Sequence, residues 1–383
     1  MTAVGFGRRI LGVACALLAF AAAGQEPAQA PTPTQSPAPP TTPAPTQAAT
    51  PATASAPTPV PVPNAAAIAA AKAAFVDRMV KQHDFDRVEL TALLDQAQIV
   101  QSVIDTMSKP AERVVPWFQY RRIFLTEERI AAGAQFWTEH ARDIEFVAQR
   151  YGVAPEMIVA IVGVETYFGT RMGKYRVLDA LATLAFAYPP RAAFFSSELE
   201  QFVLLAREEH LDATAALGSY AGAMGAGQFI PSSFRRYAVD ADEDGKRDLW
   251  NDWDDALGSV ANYFKMSGWQ TGQPVVEQAS RGAKFKGPEP RNSMDLNDSV
   301  GSLRHQGYVF TTDLPADAPA APFALEADGG GSEYWVGFTN FRVITRYNRS
   351  PKYALAAYEL GQAIRTRYEA RTAVANETGS ADR

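Results

Sequence analysis

Cysteine is all but missing from this chain of 383 residues: the only one, Cys15, lies in an N-terminal leader. The remainder can form no internal disulfide and has no thiol chemistry. Positive charge is not in excess either. A net charge of -6 argues against a protein that holds nucleic acid through overall charge, although it leaves room for a local basic groove. Long apolar runs are lacking too. The run Ile10 to Ala23 is short for a bilayer span, and no other approaches that length. There is no internal repeat.

What is present begins with that leader. Arg8 and Arg9 precede the apolar run, and Ala21-Ala22-Ala23-Gly24 ends it. Residues 1–23 therefore read as a secretory signal, and the protein is expected to be exported and soluble in the periplasm. Cys15 suits a lipid-attachment site poorly, because it sits in mid-run without a Leu three positions earlier. Residues 24–64 are Pro, Ala, Thr and Gln, with 13 of the 26 prolines between Pro27 and Pro63. Nothing there can bury a core, so the segment is expected to be an extended, disordered linker.

From Ala65 the pattern is helical. Ala65 to Gln82 carries Phe75, Met79 and Val80 on an apolar face, and Asp84 is a candidate cap for a second helix through Leu90, Leu93 and Leu94. Thr126, with Glu127 and Glu128 behind it, opens a helix expected to run to Tyr151. Leu178 to Phe186 is closed by Pro189-Pro190, and Arg191 to Glu209 is amphipathic. After Gln270 short apolar alternations appear (Val275-Val276, Tyr308 to Phe310, Tyr334 to Val336) among Gly-rich loops, which predicts a small β subdomain over 270–340. Helix returns at Lys352 to Tyr368, and the tail 372–383 is polar and expected to fray. The whole region 65–371 is thus expected to be mainly α, with a helical region at 65–150, a core at 151–269 and a C-terminal helical segment at 341–371.

The most informative stretch is Pro155 to Gly173. Pro155 and Glu156 suit the start of a helix. Met157 to Val164 are almost all apolar, so the helix should be buried on every side. One carboxylate, Glu165, interrupts that run, and Gly169 is a candidate stop. Burial and the negative helix end both raise the pKa of such a Glu, as a general acid working near neutrality requires. The plainer alternative is a Glu that turns to the surface or pairs with Arg171 or Lys174.

A second stretch, Gly218 to Phe234, holds four glycines in ten residues, letting backbone approach a ligand closely. Ser219 and Gln228 offer hydrogen bonds, and Phe229 offers a flat face, a mixture suited to a polymeric sugar. Read alone, it is a tight turn between helices.

Together the two stretches are far more specific. Glu165-Thr166-Tyr167-Phe168-Gly169 followed by Ala223 to Pro231 resembles the lysozyme-like lytic transglycosylases. Met172-Gly173-Lys174, Leu178 to Leu184 and Gly258 to Phe264 narrow the resemblance to the membrane-bound lytic murein transglycosylase B family, over about residues 70–365. The resemblance implies a lysozyme-like catalytic core, with Glu165 as the catalytic residue. It implies substrate contacts from Tyr120, Ser219, Gln228, Phe229, Tyr263, Tyr347, Asn348 and Tyr353, and peptidoglycan strands as the partner. The chain is expected to be a monomer that binds no nucleic acid, with cell-wall synthesis or turnover proteins as further candidate partners. The implied reaction needs no cofactor. It cuts between N-acetylmuramic acid and N-acetylglucosamine and closes a 1,6-anhydro ring without water. A hydrolytic muramidase and a non-catalytic peptidoglycan-binding protein are the alternatives.

Asp240-Ala241-Asp242-Glu243-Asp244-Gly245-Lys246 fits the first half of an EF-hand loop. Asp240, Asp242 and Asp244 are candidate ligands, most fittingly for a structural calcium ion, with Lys246 contributing its carbonyl. The usual closing Glu is absent. The family resembled closes a lengthened loop with an Asp, aligned to Asp255, and Asp252 or Asp254 could serve instead.

Overall fold

The computed structural model describes residues 61–109 and 115–381, and side chains as far as residue 373. The leader and nearly all of the expected linker lie outside them. The first helix, α1 (Ala65–His83), starts where the sequence predicts, with the Asn64 side chain accepting from the Ala67 N–H. Asp84 does not cap the next helix. It takes a left-handed conformation that ends α1, and Asp86 caps α2 (Arg87–Asp95) by accepting from the N–H groups of Val88 and Glu89. Two short helices follow, α3 (Gln101–Ser108) and α4 (Trp117–Phe124). Thr126 does cap α5 (Glu127–Glu139), but the expected long helix breaks at His140 and resumes as α6 (Ala141–Tyr151). His140 has left helical geometry, and its ring packs at 4.6 Å from Phe136.

The apolar helix α7 (Pro155–Thr166) is buried from Glu156 through Val164. Each large side chain so buried contributes about 1.5–3 kcal/mol. Around it pack α5, α6, α11 (Trp253–Met266) and α14 (Pro351–Ala381). Gly361 allows the close crossing of α14 and α7: a Cβ there would stand 2.8 Å from the Glu156 carbonyl oxygen. Glu156 itself is buried and paired with Arg365 of α14 at 2.9 Å. The final helix runs on through Ala381, past the expected Tyr368 end and into the tail expected to fray. The remaining helices of the core are α8 (Val177–Phe186), α9 (Ala192–Glu208) and α10 (Pro231–Tyr237).

The β subdomain is a five-stranded antiparallel sheet in the order β4-β6-β7-β3-β5. Its strands are β3 (Val276–Arg281), β4 (Asp298–Ser299), β5 (Tyr308–Val309), β6 (Pro319–Glu326) and β7 (Ser332–Gly337). The helix α12 (Val300–Gln306) lies on it, and Phe323 stacks on Phe341 of α13 (Thr339–Tyr347) at 4.8 Å. The chain is therefore mainly α with a small β subdomain, as expected. No single helix among the described residues is long and apolar enough to cross a membrane.

Candidate active site

Glu165 sits in the last turn of α7, where the chain leaves the helix through three successive left-handed residues: Tyr167 (φ 51°), Phe168 (φ 57°) and Gly169 (φ 77°). The helix thus stops at Tyr167 rather than at Gly169. Only Gly fits position 169, since a Cβ would lie 2.8 Å from the Trp253 ring. Thr166, fully buried, organises this exit. Its hydroxyl donates to the Ala226 carbonyl at 2.9 Å and accepts from the Gly169 N–H at 3.0 Å. No pattern in the sequence marks Thr166 as the tie between the two diagnostic stretches.

Glu165 keeps a small accessible face, yet the atoms around it exclude bulk water. Burial raises its pKa to about 7, and a hydrogen bond from Tyr353 opposes part of that rise. The Tyr353 hydroxyl lies 2.5 Å from Oε1. Burial and the neighbouring Glu165 charge hold the Tyr353 phenol well above its ordinary pKa, so it stays a proton donor. Arg171 and Lys174 form no ion pair with Glu165, and no other cation among the described residues does.

The aromatic residues assemble behind Glu165. Tyr347 ends α13 and donates to the Gly227 carbonyl, and Tyr263 of α11 donates to the Arg346 carbonyl at 2.6 Å. Their rings meet at 4.7 Å, and Phe229 lies 5.9 Å from each. Phe229 is 2% exposed, so it does not offer the open flat face expected of it; it supports the two tyrosines instead. Asn348 is buried at the corner between α13 and α14, and Tyr353 follows on α14. Tyr120 is largely buried on α4, 5.2 Å from Phe124, and near enough to Tyr353 to act on it electrostatically.

The glycine-rich stretch forms the facing loop. It begins in β2 (Leu217–Gly218), paired with β1 (Tyr175–Arg176), and folds back through bridges of Met224 to Gly218 and Phe229. Ser219 Oγ accepts from the N–H groups of Ala221 and Ala223 at 3.3 and 3.0 Å. Both bonds use it as acceptor, so its proton remains to donate to a ligand. Gln228 spends its amide hydrogens on the carbonyls of Met172 and Gly225, which leaves its oxygen as the group it can present.

In the acidic loop, Asp240, Asp242 and Asp244 bring carboxylate oxygens within 4.8 Å of one another. Gly245 supplies the left-handed turn (φ 91°), and its N–H donates to Asp240 at 2.8 Å. These hard oxygens fit a calcium-like cation. Asp255 does not join them. It is 1% exposed, and its two oxygens accept from the Ala241 and Asp248 N–H groups, each at 2.7 Å. The following helix starts at Trp253, with Asp252 as its cap. Lys246 donates its N–H to Asp244 at 2.9 Å.

A mainly helical core that holds a desolvated acid under a glycine-rich loop and a bank of tyrosines defines a lysozyme-like enzyme acting on a glycan. The chain belongs to the family of the transglycosylase SLT domain, whose model matches residues 67–362. It is a peptidoglycan lytic transglycosylase. It is 44% identical over 299 residues to membrane-bound lytic murein transglycosylase B of Escherichia coli K12, covering 76% of this chain and 81% of that protein. Soluble lytic transglycosylase SltB1 of Pseudomonas aeruginosa is 47% identical, with a TM-score of 0.72 over 77% of this chain and 99% of its own. Escherichia coli Slt35, solved in complex with calcium, is 42% identical, with a TM-score of 0.70 over 78% and 93%. Pseudomonas aeruginosa SltB3, solved with NAG-NAM-pentapeptide, is 31% identical, with a TM-score of 0.68 over 78% and 80%.

Proposed function

We propose that Glu165 acts alone, first as acid and then as base, and that the product carries a 1,6-anhydro-muramoyl end. Neutral Glu165 protonates the oxygen that links C1 of N-acetylmuramic acid to the next sugar, and the C1–O bond breaks. The resulting carboxylate takes the proton from the C6 hydroxyl of the same sugar, and that oxygen bonds to C1. Glu165 ends the cycle protonated, as it began: the proton it gave is replaced by the one it took. Attack from within the sugar removes the entropic cost of recruiting water. The observation that carries this reading is the setting of Glu165 among the described residues: burial and the Tyr353 hydroxyl act on its titration, and no second carboxylate does. A hydrolytic mechanism usually pairs two carboxylates across the bond.

Tyr353 orients the acid. The free proton of Ser219 and the free oxygen of Gln228 would hold the acetamido and hydroxyl groups, and Tyr120, Tyr263, Tyr347 and Asn348 would line the strand's path. The substrate is the peptidoglycan strand, in line with the muropeptide fragment held by SltB3, and the leader would carry the enzyme to it outside the cytoplasm. Asp240, Asp242 and Asp244 would hold a calcium ion that stabilises the fold and takes no part in the chemistry, in line with the calcium complex of Slt35.

Digestion in H₂¹⁸O tests the reaction. Ring closure leaves no label at the new C1, because solvent oxygen never enters the bond. Mass spectra with label at every new reducing end would make the enzyme a muramidase and leave Glu165 as its acid.

A further inference from the structure

The residues just beyond Glu165 do something the reaction itself does not require. The left-handed turn at 167–169 holds the partly exposed Tyr167 ring between two guanidinium groups, Arg129 at 5.2 Å and Arg171 at 4.7 Å. Left-handed conformations cost a non-glycine residue about 1–2 kcal/mol, and such strain persists where surrounding structure enforces it. Here Phe168 is buried and serves packing, whereas Tyr167 points out between cations. The stack is continuous with the site. Arg129 also lies 5.1 Å from the Phe124 ring, which is 5.2 Å from Tyr120, and Tyr120 is near enough to Tyr353 to act on it electrostatically. At the outer end Arg171 and the nearby Lys174 are exposed, and neither makes an ion pair with an acidic side chain among the described residues. Arg171 is fixed at its backbone, its N–H donating to the Thr166 carbonyl at 2.9 Å.

We infer that Tyr167 and Arg171 form a subsite that reads carboxylates on the muramoyl side chain of the strand, and so set which strands the enzyme prefers. A planar ring holds the guanidinium flat, and a guanidinium presents paired N–H donors that match a carboxylate. A murein strand offers that group in two forms: the lactyl carboxylate of a bare muramoyl residue, or the carboxylates of an attached peptide. The inference rests on the strand being the substrate, not on how the bond is cut.

The test measures binding to Glu165→Gln protein, which cannot cut, so a failure of the proposed chemistry leaves it intact. Four soluble strands are compared, peptide-bearing and bare, each as the free acid and with its carboxylates amidated. The free acids should bind about three- to tenfold more tightly than their amides, between the strength of an exposed ion pair and that of a charge-assisted fork. Adding Arg171→Gln should bring acid and amide together, and Arg171→Glu should invert their order. Loss of discrimination on peptide-bearing strands alone assigns the peptide as the ligand, and loss on bare strands alone assigns the lactyl group. A preference for acid over amide that survives Arg171→Gln overturns the proposal, and so does its absence in the Glu165→Gln parent.

Discussion

In the proposed mechanism a single carboxyl group carries the reaction, and its titration carries a cost. Glu165→Gln keeps the shape and removes the acid, so turnover should fall at least about a thousandfold, within the range acid catalysis supplies. The same substitution should stabilise the protein at alkaline pH. The folded pKa, about 7, lies above the unfolded value of about 4.3. Between the two the folded state holds a proton the unfolded state has lost, so stability falls as pH rises through that window. Each pH unit of that window costs up to about 1.4 kcal/mol. Denaturant titrations should therefore find the Gln variant ahead by up to about 4 kcal/mol at pH 8 and level with the parent at about pH 4. Tyr353→Phe removes the bond that favours the carboxylate, which raises the Glu165 pKa. The alkaline limb of the kcat/KM profile should move to higher pH, and an unmoved limb would show that Tyr353 does not tune the acid. Glu165 was legible because one carboxylate stood out in an apolar run. Tyr353 could be named from family resemblance, but its bond to an acid 188 residues away could not be read from spacing. Phe229 misled because a sequence gives a ring's presence and not the side on which it is covered.

Between elements, Thr166 is the joint. Its hydroxyl ties the end of α7 to the glycine-rich loop and caps the turn behind Glu165. Thr166→Val is nearly isosteric and leaves the Ala226 carbonyl and the Gly169 N–H without that partner. The loss should be about 1–3 kcal/mol, the cost of buried unsatisfied groups, with a fall in kcat as the acid and loop lose register. Thr166→Ser should restore both by calorimetry and kinetics. Elements with strong patterns were legible: α1, α7 and α8 begin within a residue of expectation. The longest strand, β6, was not, because Pro319 and Pro322 argue against a strand in the sheet interior. The sheet accommodates them because β4 pairs only with Pro319 and Ala320, so Pro322 lies where that side of β6 is open. The break at His140 was hidden for the opposite reason, since no Pro or Gly marks it.

Across the whole molecule, the acidic loop and the catalytic groove share a wall. Past Asp244 the chain reaches Leu249, whose carbonyl accepts from the Ala226 N–H at 2.8 Å, then Trp250, whose indole N–H donates to the Leu217 carbonyl at 2.8 Å, then Trp253 against Gly169. A cation bound only by the folded state stabilises it by mass action, by about 2.7 kcal/mol at a hundredfold excess over Kd. Calcium should therefore raise the Tm by several degrees, and Asp240→Ala or Asp244→Ala should remove the rise. Melting curves of calcium-loaded protein that chelator does not move would exclude a stabilising role. The division into helical core and later sheet was legible from the change in pattern near residue 270. The wrap of α14 across α7 was not, because it depends on how Gly361 and Arg365 meet Glu156 in space.

The corner between α13 and α14 also sets a clock. Tyr347 braces the glycine-rich loop and Tyr353 holds Glu165, yet both leave the ribosome long after that acid, Tyr353 by 188 residues. A nascent chain that already contains Glu165 lacks the hydroxyl that orients it and the ring that braces the facing loop. A wall-degrading enzyme thus lacks its working geometry until the chain has grown 188 residues past its acid.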